Sequence, residues 1–327
     1  MGMQYRPFGK AGWNVSEIGF GCWGLGGGWG PRDDGQAQKA LQCALRLGVN
    51  FFDTAYIYGS GHSERLLGEV LSRWKGTVRV ATKVPAKTME WPARSTTPAL
   101  KAFPADWIIH CTQTSLKRLR LEAVDLQQLH VWTDAWIEAE EWQKAVDTLK
   151  RQGKIRAFGV SVNDHEPESV MKLVASGKID SIQVIYNIFE QDSAKALLPL
   201  CQKRNVAVIV RVPLDEGALT GTFTRQTCFP RGDWRAGYFR GERLNQVCER
   251  VERLKEFLTP GIPTVSALAL KFVLSHPAVS TVIPGMRKVK NVEANCAVSG
   301  GTVLSPEILT RLSTHAWTRN FYTGTWD

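Results

Sequence analysis

A single (β/α)8 barrel, an α/β fold also called a TIM barrel, is the architecture that this sequence predicts. Eight short apolar stretches typical of buried strands recur along the 327 residues, and helical patterns separate them. No linker rich in proline, glycine or serine divides them into two groups. Eight such units fill a chain of this length, so we expect one domain over residues 1–327.

The first segment, YRPFGKAGWNVSEIGFG, predicts a β-hairpin that turns at residues 9–12 and feeds a first barrel strand at residues 16–20. The glycine-rich stretch GFGCWGLGGGWG follows, but no helix begins directly after it. A GxGxxG motif of a Rossmann-type sheet, the main competing fold, needs that helix. We therefore interpret the stretch as a flexible loop after the first strand.

Helical and strand patterns then alternate in the order that the barrel requires. Helical patterns over residues 37–45, 66–71, 108–119, 142–149, 170–174 and 194–203 precede the strands VNFFDTA, VRVATKV, AVDLQQLH, KIRAFGVS, SIQVIYN and VAVIVRV. Two more helices, at residues 243–257 and 265–274, precede the eighth strand, VSTVIPG. The longest irregular stretches, residues 85–103 and 214–240, follow strands, where long loops usually carry binding function.

The formal net charge of +10 indicates an anionic partner. No run of five or more basic residues occurs, so a phosphate-bearing small molecule is favoured over a nucleic acid or a membrane surface. The first residues lack a basic stretch followed by an apolar core, and no window approaches 18 apolar residues. We therefore expect no signal peptide and no membrane span.

Seven cysteines are scattered along the chain without any CxxC pair. Their odd number and wide spacing indicate neither a disulfide framework nor a zinc site, and we expect no metal. This cysteine usage is typical of a reducing, cytoplasmic protein.

Polar residues recur where the predicted strands end, which is one face of a barrel of parallel strands. In strand order the residues at the eight ends are Gly21 and Trp23, Asp53 with Tyr58, Lys83, His130, Ser161 with Asn163, Gln183, Arg211, and Gly285 with Arg287, so every end but the first has a polar residue. A lone polar residue at a strand end is usually a satisfied structural group. Seven of eight strand ends in register instead indicate a functional site.

Four of these side chains suit acid-assisted reduction of a carbonyl group. A phenol with an ordinary pKa of about 10 gives up its proton reluctantly at neutral pH, so Tyr58 needs help. Lys83 would stabilise the phenolate, Asp53 would hold Lys83 charged, and His130 would donate a hydrogen bond to the developing oxyanion. The set contains no hydride source, so a cofactor is required. Ser161, Asn163 and Gln183 suit a carboxamide, and the eighth strand end suits phosphate.

The segments FFDTAYIYGSGHSERLLGEVL, ATKV, VDLQQLHVW, GVSVN, IQVIYN, VPLDEGALTG and VIPGMRKVKNVEAN occur in the order and spacing of one known family. By them the chain resembles the aldo-keto reductase superfamily along nearly its whole length, with the first segment the most specific. The resemblance implies that Tyr58 is the proton donor, that Lys83 and Asp53 lower its pKa, and that His130 orients the substrate carbonyl. It also implies transfer of the pro-R hydride of the cofactor to an aldehyde or ketone, or the reverse reaction with an alcohol.

The resemblance further implies a set of cofactor contacts. They are Gly21, Cys22 and Trp23 at the first strand end, Ser161, Asn163 and Gln183 at the nicotinamide carboxamide, Leu214, Gly217, Leu219 and Gly221 in a loop over the pyrophosphate, and Gly285, Arg287, Asn291 and Asn295 at the adenosine end. Arg287 and Lys288 place two cations where a ribose 2′-phosphate would lie, which favours NADPH over NADH.

One residue departs from the family pattern. The family usually has an aromatic residue that stacks on the nicotinamide at the end of strand seven, whereas this chain has Arg211. A guanidinium is planar and also stacks, but a fixed cation would disfavour the oxidised cofactor and attract acidic substrates. Our hypothesis is that Arg211 tunes cofactor release or substrate charge; the alternative is a structural salt bridge to Asp215 or Glu216.

Aromatic residues near the predicted chemistry are candidates for the walls of a substrate pocket. Trp23 and Trp132 follow strands one and four, Trp91 lies in the long loop after the third strand, and Tyr58 and His130 would contact the substrate as well. The aromatic tail, residues 316–327, would fold over the barrel mouth or dock on the outside. Two other classes stay open: a regulatory subunit that senses the cofactor, and a phosphate-sugar aldolase or isomerase on the same barrel.

Overall fold

The predicted hairpin is present in the computed structural model, which describes residues 2–301 and 303–322. Strands β1 (Tyr5–Pro7) and β2 (Asn14–Ser16) pair in antiparallel fashion. Between and beside them Phe8 and Val15 are completely buried against Phe51, Ala207 and other residues near the starts of barrel strands. The hairpin therefore closes the amino-terminal end of the barrel.

Eight parallel strands form the central sheet and confirm the predicted fold. They are β3 (Phe20–Gly21), β4 (Phe51–Asp53), β5 (Arg79–Val84), β6 (Val124–Leu129), β7 (Ile155–Ser161), β8 (Ser181–Ile185), β9 (Ala207–Arg211) and β10 (Val279–Val282). Neighbours in sequence are neighbours in the sheet from β3 to β10. Parallel bridges from Ile18 to Val282 and from Gly21 to Gly285 join the first strand to the last, which closes the barrel.

The first barrel strand is shorter and later than the predicted residues 16–20. Ser16 belongs to the hairpin, where it pairs with Tyr5, and its backbone N–H donates to the Asn50 side chain at 2.6 Å. The chain then turns inward, so only Phe20 and Gly21 pair with β4. A hydrophobic pattern does not show with which partner a strand pairs.

The helices surround the strands as the sequence predicts. They are α1 (Asp34–Arg46), α2 (His62–Leu71), α3 (Ala99–Ala102), α4 (Ala105–Leu119), α5 (Glu140–Arg151), α6 (Met171–Ser176), α7 (Leu197–Arg204), α8 (Arg235–Tyr238), α9 (Arg243–Leu254), α10 (Val265–Leu274), α11 (Val289–Cys296) and α12 (Pro306–Ser313). The helix expected over residues 243–257 ends at Leu254 and continues as a 3-10 turn, Lys255–Phe257. In the described ranges no helix is both long and apolar enough to cross a membrane.

The parallel arrangement brings the predicted site residues to one end of the barrel. Asp53, Ser161 and Arg211 are the last residues of β4, β7 and β9, and His130 directly follows β6. The loops after β5 and β9, which contain the short helices α3 and α8, surround this end. The candidate site therefore lies at the carboxyl ends of the strands.

Candidate active site

Lys83 is the centre of the polar cluster and is completely buried. Its Nζ donates to Asp53 Oδ1 at 2.5 Å, to the Thr54 carbonyl at 2.9 Å and to Tyr58 Oη at 3.4 Å. The ammonium thus uses its three protons on a carboxylate, a backbone carbonyl and a phenol. These contacts bring together three of the four residues predicted for catalysis.

Asp53 is held by a second set of donors. Gln183 Nε2 donates to Asp53 Oδ2 at 2.9 Å, and Gln128 Nε2 donates to the same oxygen at 3.3 Å. Both glutamines are nearly or completely buried within strands. Gln128 was not among the predicted site residues, although two adjacent glutamines in the apolar strand VDLQQL are a signal that could have identified it. Gln183, assigned there to a carboxamide, supports Asp53.

The environment shifts the pKa values of the three titrating groups. Burial works to lower the pKa of Lys83, but Asp53 and Tyr58 outweigh it and raise that pKa above its ordinary value. Loss of hydration raises the pKa of Tyr58, and Lys83 partly opposes this rise, as expected. The charge of Asp53 adds to the rise, so the expectation that Asp53 also lowers this pKa is wrong for its direct effect. Burial, together with the charges of Lys83 and Arg211, holds the pKa of His130 well below its usual range.

These shifts define the protonation states at neutral pH: an ammonium, a protonated phenol and a neutral imidazole. The rings of Tyr58 and His130 lie edge to face with centroids 5.7 Å apart. His130 Nδ1 is buried and has no hydrogen-bond partner within the described ranges. The phenol, stabilised by the ammonium, can donate its proton to an oxygen atom, and the neutral imidazole can donate a hydrogen bond to the same atom.

A buried ion pair supports the turn that carries Tyr58. Arg118 Nη1 donates to the Tyr56 carbonyl at 2.9 Å and to Glu64 Oε2 at 3.1 Å. Glu64 is completely buried, and its other oxygen accepts from the Thr82 hydroxyl at 2.7 Å. Because Thr82 precedes Lys83 in β5, this network ties the Tyr58 turn to the strand that carries the ammonium.

Arg211 forms a salt bridge, but with a residue that the sequence analysis did not consider. Its Nη2 donates to Asp164 Oδ1 at 2.5 Å and to the Val162 carbonyl at 2.9 Å. The expected alternative partners, Asp215 and Glu216, do not hold it by a hydrogen bond; Asp215 instead pairs with Arg319. Asp164 follows β7 by three residues, and a lone aspartate in a loop gave no sequence signal for this role.

Trp91, which is predicted to be a pocket wall, lies beside the cluster. Its Nε1 donates to Asp164 Oδ2 at 2.8 Å, and its ring meets His130 edge to face at 5.1 Å. Trp132 does not fit that prediction: its side chain is completely buried, and it packs against Trp136 and Trp142. Its indole fills the layer between barrel and helices, so we correct Trp132 to a core residue.

The three residues predicted to bind a carboxamide differ in whether their polar atoms already have hydrogen-bond partners. Ser161 Oγ is buried and without a hydrogen-bond partner in the described part of the chain. The Asn163 amide instead pairs with both backbone groups of Ala93, each at 3.1 Å, and also donates to Glu166 at 2.9 Å. Gln183 uses its Nε2 on Asp53, whereas the Ser161 hydroxyl is a buried polar group without a partner among the described residues, which a bound amide would satisfy.

The eighth strand end lies under the glycine-rich first loop. Arg287 Nη2 donates to the Trp29 carbonyl at 2.6 Å, and Nη1 reaches the Pro31 carbonyl at 3.4 Å. A Cβ atom at Gly285 would lie 3.3 Å from the Trp29 ring, so the loop approaches this strand end closely. Asn291 is exposed and Asn295 is buried on α11, directly after this point.

At the first strand end the remaining candidates are close to the cluster. Gly21 forms the closing bridge with Gly285, and the buried Cys22 donates its N–H to the Asp53 carbonyl at 2.8 Å. Burial raises the pKa of the Cys22 thiol well above its usual range, so that thiol is neutral and inert. Trp23 is partly exposed and packs edge to face on Trp29.

The loop after β9, predicted to cover a pyrophosphate, has an unusual backbone. Val212, Asp215 and Glu216 have φ of 53°, 46° and 55°, and Gly217 has φ of 102°. Such values are costly for non-glycine residues, and for a β-branched valine above all, so surrounding contacts must hold them. The Leu214 carbonyl accepts from the N–H groups of Gly217 and Leu219, and the turn ends at Gly221 with φ of 73°.

The tail packs against loops at the carboxyl ends of the strands, as the mouth-covering prediction requires. Trp317 donates its N–H to the Phe189 carbonyl at 2.8 Å, and Tyr322 Oη donates to Glu216 Oε1 at 2.7 Å. Arg319 pairs with Asp215. The part of the predicted tail at residues 323–327 lies outside the described residues.

Comparison with known proteins identifies the family that this chain matches. The family model "Aldo/keto reductase family" matches residues 17–316. Aldo-keto reductase YhdN of Bacillus subtilis is 29% identical over 311 residues, 93% of this chain and 91% of that protein. The NADH-specific methylglyoxal reductase of Escherichia coli is 28% identical, over 90% of this chain and 93% of that one. The structure of the glycerol dehydrogenase AKR11B4 from Gluconobacter oxydans is similar with a TM-score of 0.79 at 28% identity, covering 96% and 95% of the chains.

Proposed function

The chain belongs to the aldo/keto reductase family, whose members are oxidoreductases that use nicotinamide cofactors, and we propose that it is an NADPH-dependent reductase of aldehydes or ketones. In this proposal Tyr58 is the general acid, and the general base when the reaction runs from an alcohol. The observation that carries it is the buried chain of contacts from Asp53 through Lys83 to Tyr58. These contacts place a positive charge beside the phenol, which is what a phenol needs to release a proton at neutral pH.

The nicotinamide ring, when bound, supplies the hydride for the carbonyl carbon. Tyr58 Oη gives its proton to the carbonyl oxygen, and the Lys83 ammonium at 3.4 Å stabilises the phenolate that remains. Asp53 keeps Lys83 charged in this buried site, so the ammonium is ready before the reaction. The neutral His130 donates a hydrogen bond to the same oxygen and orients the carbonyl toward Tyr58.

The residues present suit the cofactor. Ser161 offers the unsatisfied hydroxyl for the carboxamide, and the loop of Leu214, Gly217, Leu219 and Gly221 would lie over the pyrophosphate. The remaining contacts that we propose come from Gly21, Cys22, Trp23, Arg211, Gly285, Asn291 and Asn295. Because Asn163 and Gln183 already hold protein partners, we propose that they shape the carboxamide site and leave the direct contact to Ser161.

The preference for NADPH rests on Arg287 and Lys288. Replacing both with methionine should raise the dissociation constant of NADPH by about tenfold or more, because two cations facing a 2′-phosphate are lost. The dissociation constant of NADH should change by less than about twofold, since NADH lacks that phosphate. Fluorescence titration measures both. Lys290→Met, which removes one charge from the first turn of α11 directly after this pair, is the matched control. Equal weakening of both cofactors would contradict the assignment.

Two measurements on the purified protein test the proposed function. Titration with NADPH and NADH by fluorescence shows whether a cofactor binds, and a panel of aldehydes and ketones then reports NADPH oxidation at 340 nm as an absorbance loss. We expect tight NADPH binding and turnover of at least one carbonyl compound. Cofactor binding without any turnover would support a cofactor-sensing regulatory subunit. No cofactor binding would remove the proposal and return an aldolase or isomerase to consideration.

A further inference from the structure

We propose that Asp164 is a positioning and specificity-determining residue, which holds Arg211 and Trp91 around the substrate site and cancels the charge of Arg211, so that carbonyl compounds bearing a carboxylate are disfavoured. The inference rests on the proposed function. It goes beyond that function because it names the charge class of the substrate and assigns the selection to a residue outside the proton-transfer set.

Each carboxylate oxygen of Asp164 accepts a hydrogen bond from a different residue. Oδ1 accepts from Arg211 Nη2 at 2.5 Å, and Oδ2 accepts from Trp91 Nε1 at 2.8 Å. Asp164 is 7% exposed, so both bonds form away from bulk water and are strong. One side chain therefore fixes a cation after β9 and an indole in the loop after β5.

Both held residues reach the proton-transfer groups. The Trp91 ring lies 5.1 Å from the His130 ring, nearly perpendicular to it. The charge of Arg211 lowers the pKa of His130 and of Tyr58, so it acts on the place where the substrate oxygen would sit. Asp164 itself acts only through these two residues.

The charges at this end of the barrel balance in pairs. Lys83 pairs with Asp53, and Arg211 pairs with Asp164, while His130 is neutral. Among these described groups an anionic substrate therefore meets no unpaired cation, and it gives up its hydration without compensation. Loss of the Asp164 charge would leave Arg211, with a side chain only 15% exposed, as an uncompensated attractor for a carboxylate.

One further acid faces Arg211 and determines the pH of the test. Glu216 accepts from the Tyr322 hydroxyl, and burial raises its pKa to about 7. Asp164 contributes to this rise and Arg211 opposes it, so loss of Asp164 favours the ionised form of Glu216, and a low pH limits how far Glu216 replaces the charge of Asp164. The neighbouring Asp215 is paired with Arg319. Measurements at pH 6 therefore reduce the contribution of Glu216 relative to that of the pair of Asp164 and Arg211.

The experiment compares 4-carboxybenzaldehyde with 4-nitrobenzaldehyde as substrates at pH 6. For Asp164→Asn we expect the ratio of their kcat/KM values to rise about tenfold in favour of the carboxylate, because one full charge is unmasked at short range. Asp164→Glu should return the ratio to the parental value even if it lowers kcat. Arg211→Met, which leaves the acid without its cation, should move the ratio in the opposite direction.

Two variants separate this role from a merely structural one. Asp215→Asn removes a carboxylate of similar burial whose described partners are Arg319 and Tyr238, and it should leave the ratio within about twofold of the parent. In the double variant of Asp164→Asn with Arg211→Met, the gain for the carboxylate should disappear. A parallel fall for both aldehydes in Asp164→Asn, or a gain that persists without Arg211, overturns the proposal.

Calorimetric titration with benzoate and benzamide makes the test independent of turnover. Asp164→Asn should bind benzoate about tenfold more tightly than the parent at pH 6, with benzamide unchanged. If the parent reduces no aldehyde, the proposed function fails while this titration still decides the role of Asp164. Equal benzoate binding by parent and variant counts against the inference whatever the enzyme assay shows.

Discussion

Replacement of Tyr58 with phenylalanine is expected to lower kcat for carbonyl reduction by on the order of a thousandfold, with the dissociation constant of NADPH changed by less than about twofold. The substitution removes only the hydroxyl that would give its proton to the substrate. The ring remains, so its edge-to-face contact with His130 is retained. Lys83 keeps its contacts with Asp53 and Thr54, so the fold around it should stay intact.

Stopped-flow or steady-state NADPH oxidation measures the loss of turnover, and fluorescence titration measures the retained binding. Tyr56→Phe is the matched control: Tyr56 lies two residues earlier in the same turn, where its ring packs on Arg118 and Trp107. We expect Tyr56→Phe to keep kcat within a few-fold of the parent. Turnover by Tyr58→Phe at the parental rate would show that another group donates the proton.

The sequence could predict that the candidate proton-transfer residues lie together, because their positions follow from strand order alone. Asp53, Lys83 and His130 end apolar strand patterns, and parallel strands bring such ends together without any knowledge of side-chain contacts. Tyr58 follows a strand end by a short turn and was found by the same reasoning. For these residues, pattern and topology were sufficient.

Contacts between loops could not be predicted in this way. The partner of Arg211 depends on how the loop after β7 folds, and a sequence contains no signal for choosing Asp164 over Asp215 or Glu216. Likewise, the indole of Trp132 follows a strand end as Trp23 does, yet it turns into the core because Trp136 and Trp142 offer it a buried site. Side-chain direction after a strand end is decided by packing.

Replacement of Lys83 with methionine should damage both stability and activity, and the effect on stability should be about 3–5 kcal/mol. Lys83 and Asp53 are both buried, so the variant leaves the Asp53 carboxylate with only the donors of Gln128 and Gln183. Because the folded protein raises the pKa of Lys83, its stabilising charge is present below about pH 10.5 and is lost only as pH rises through the folded pKa. Urea unfolding at pH 7 therefore reports the full loss.

The same variant should change the pH dependence of the reaction. Lys83 lowers the pKa of Tyr58, so without it the phenol becomes harder to ionise. Alcohol oxidation needs Tyr58 as a base, and its rate should then rise only at a pH higher by about one unit or more. Carbonyl reduction should also slow, since the phenolate formed in that direction has no ammonium beside it.

The double variant of Lys83→Met with Asp53→Asn separates the two effects. It removes both buried charges, so most of the lost stability should return, since a neutral pair has no unpaired carboxylate to hold away from water. Turnover should stay low, because the phenol still lacks its ammonium. Recovery of stability without recovery of kcat would show that the pair of Lys83 and Asp53 serves catalysis and is not needed for stability. Recovery of both would show that the buried pair serves folding alone and that Tyr58 needs no tuning by Lys83.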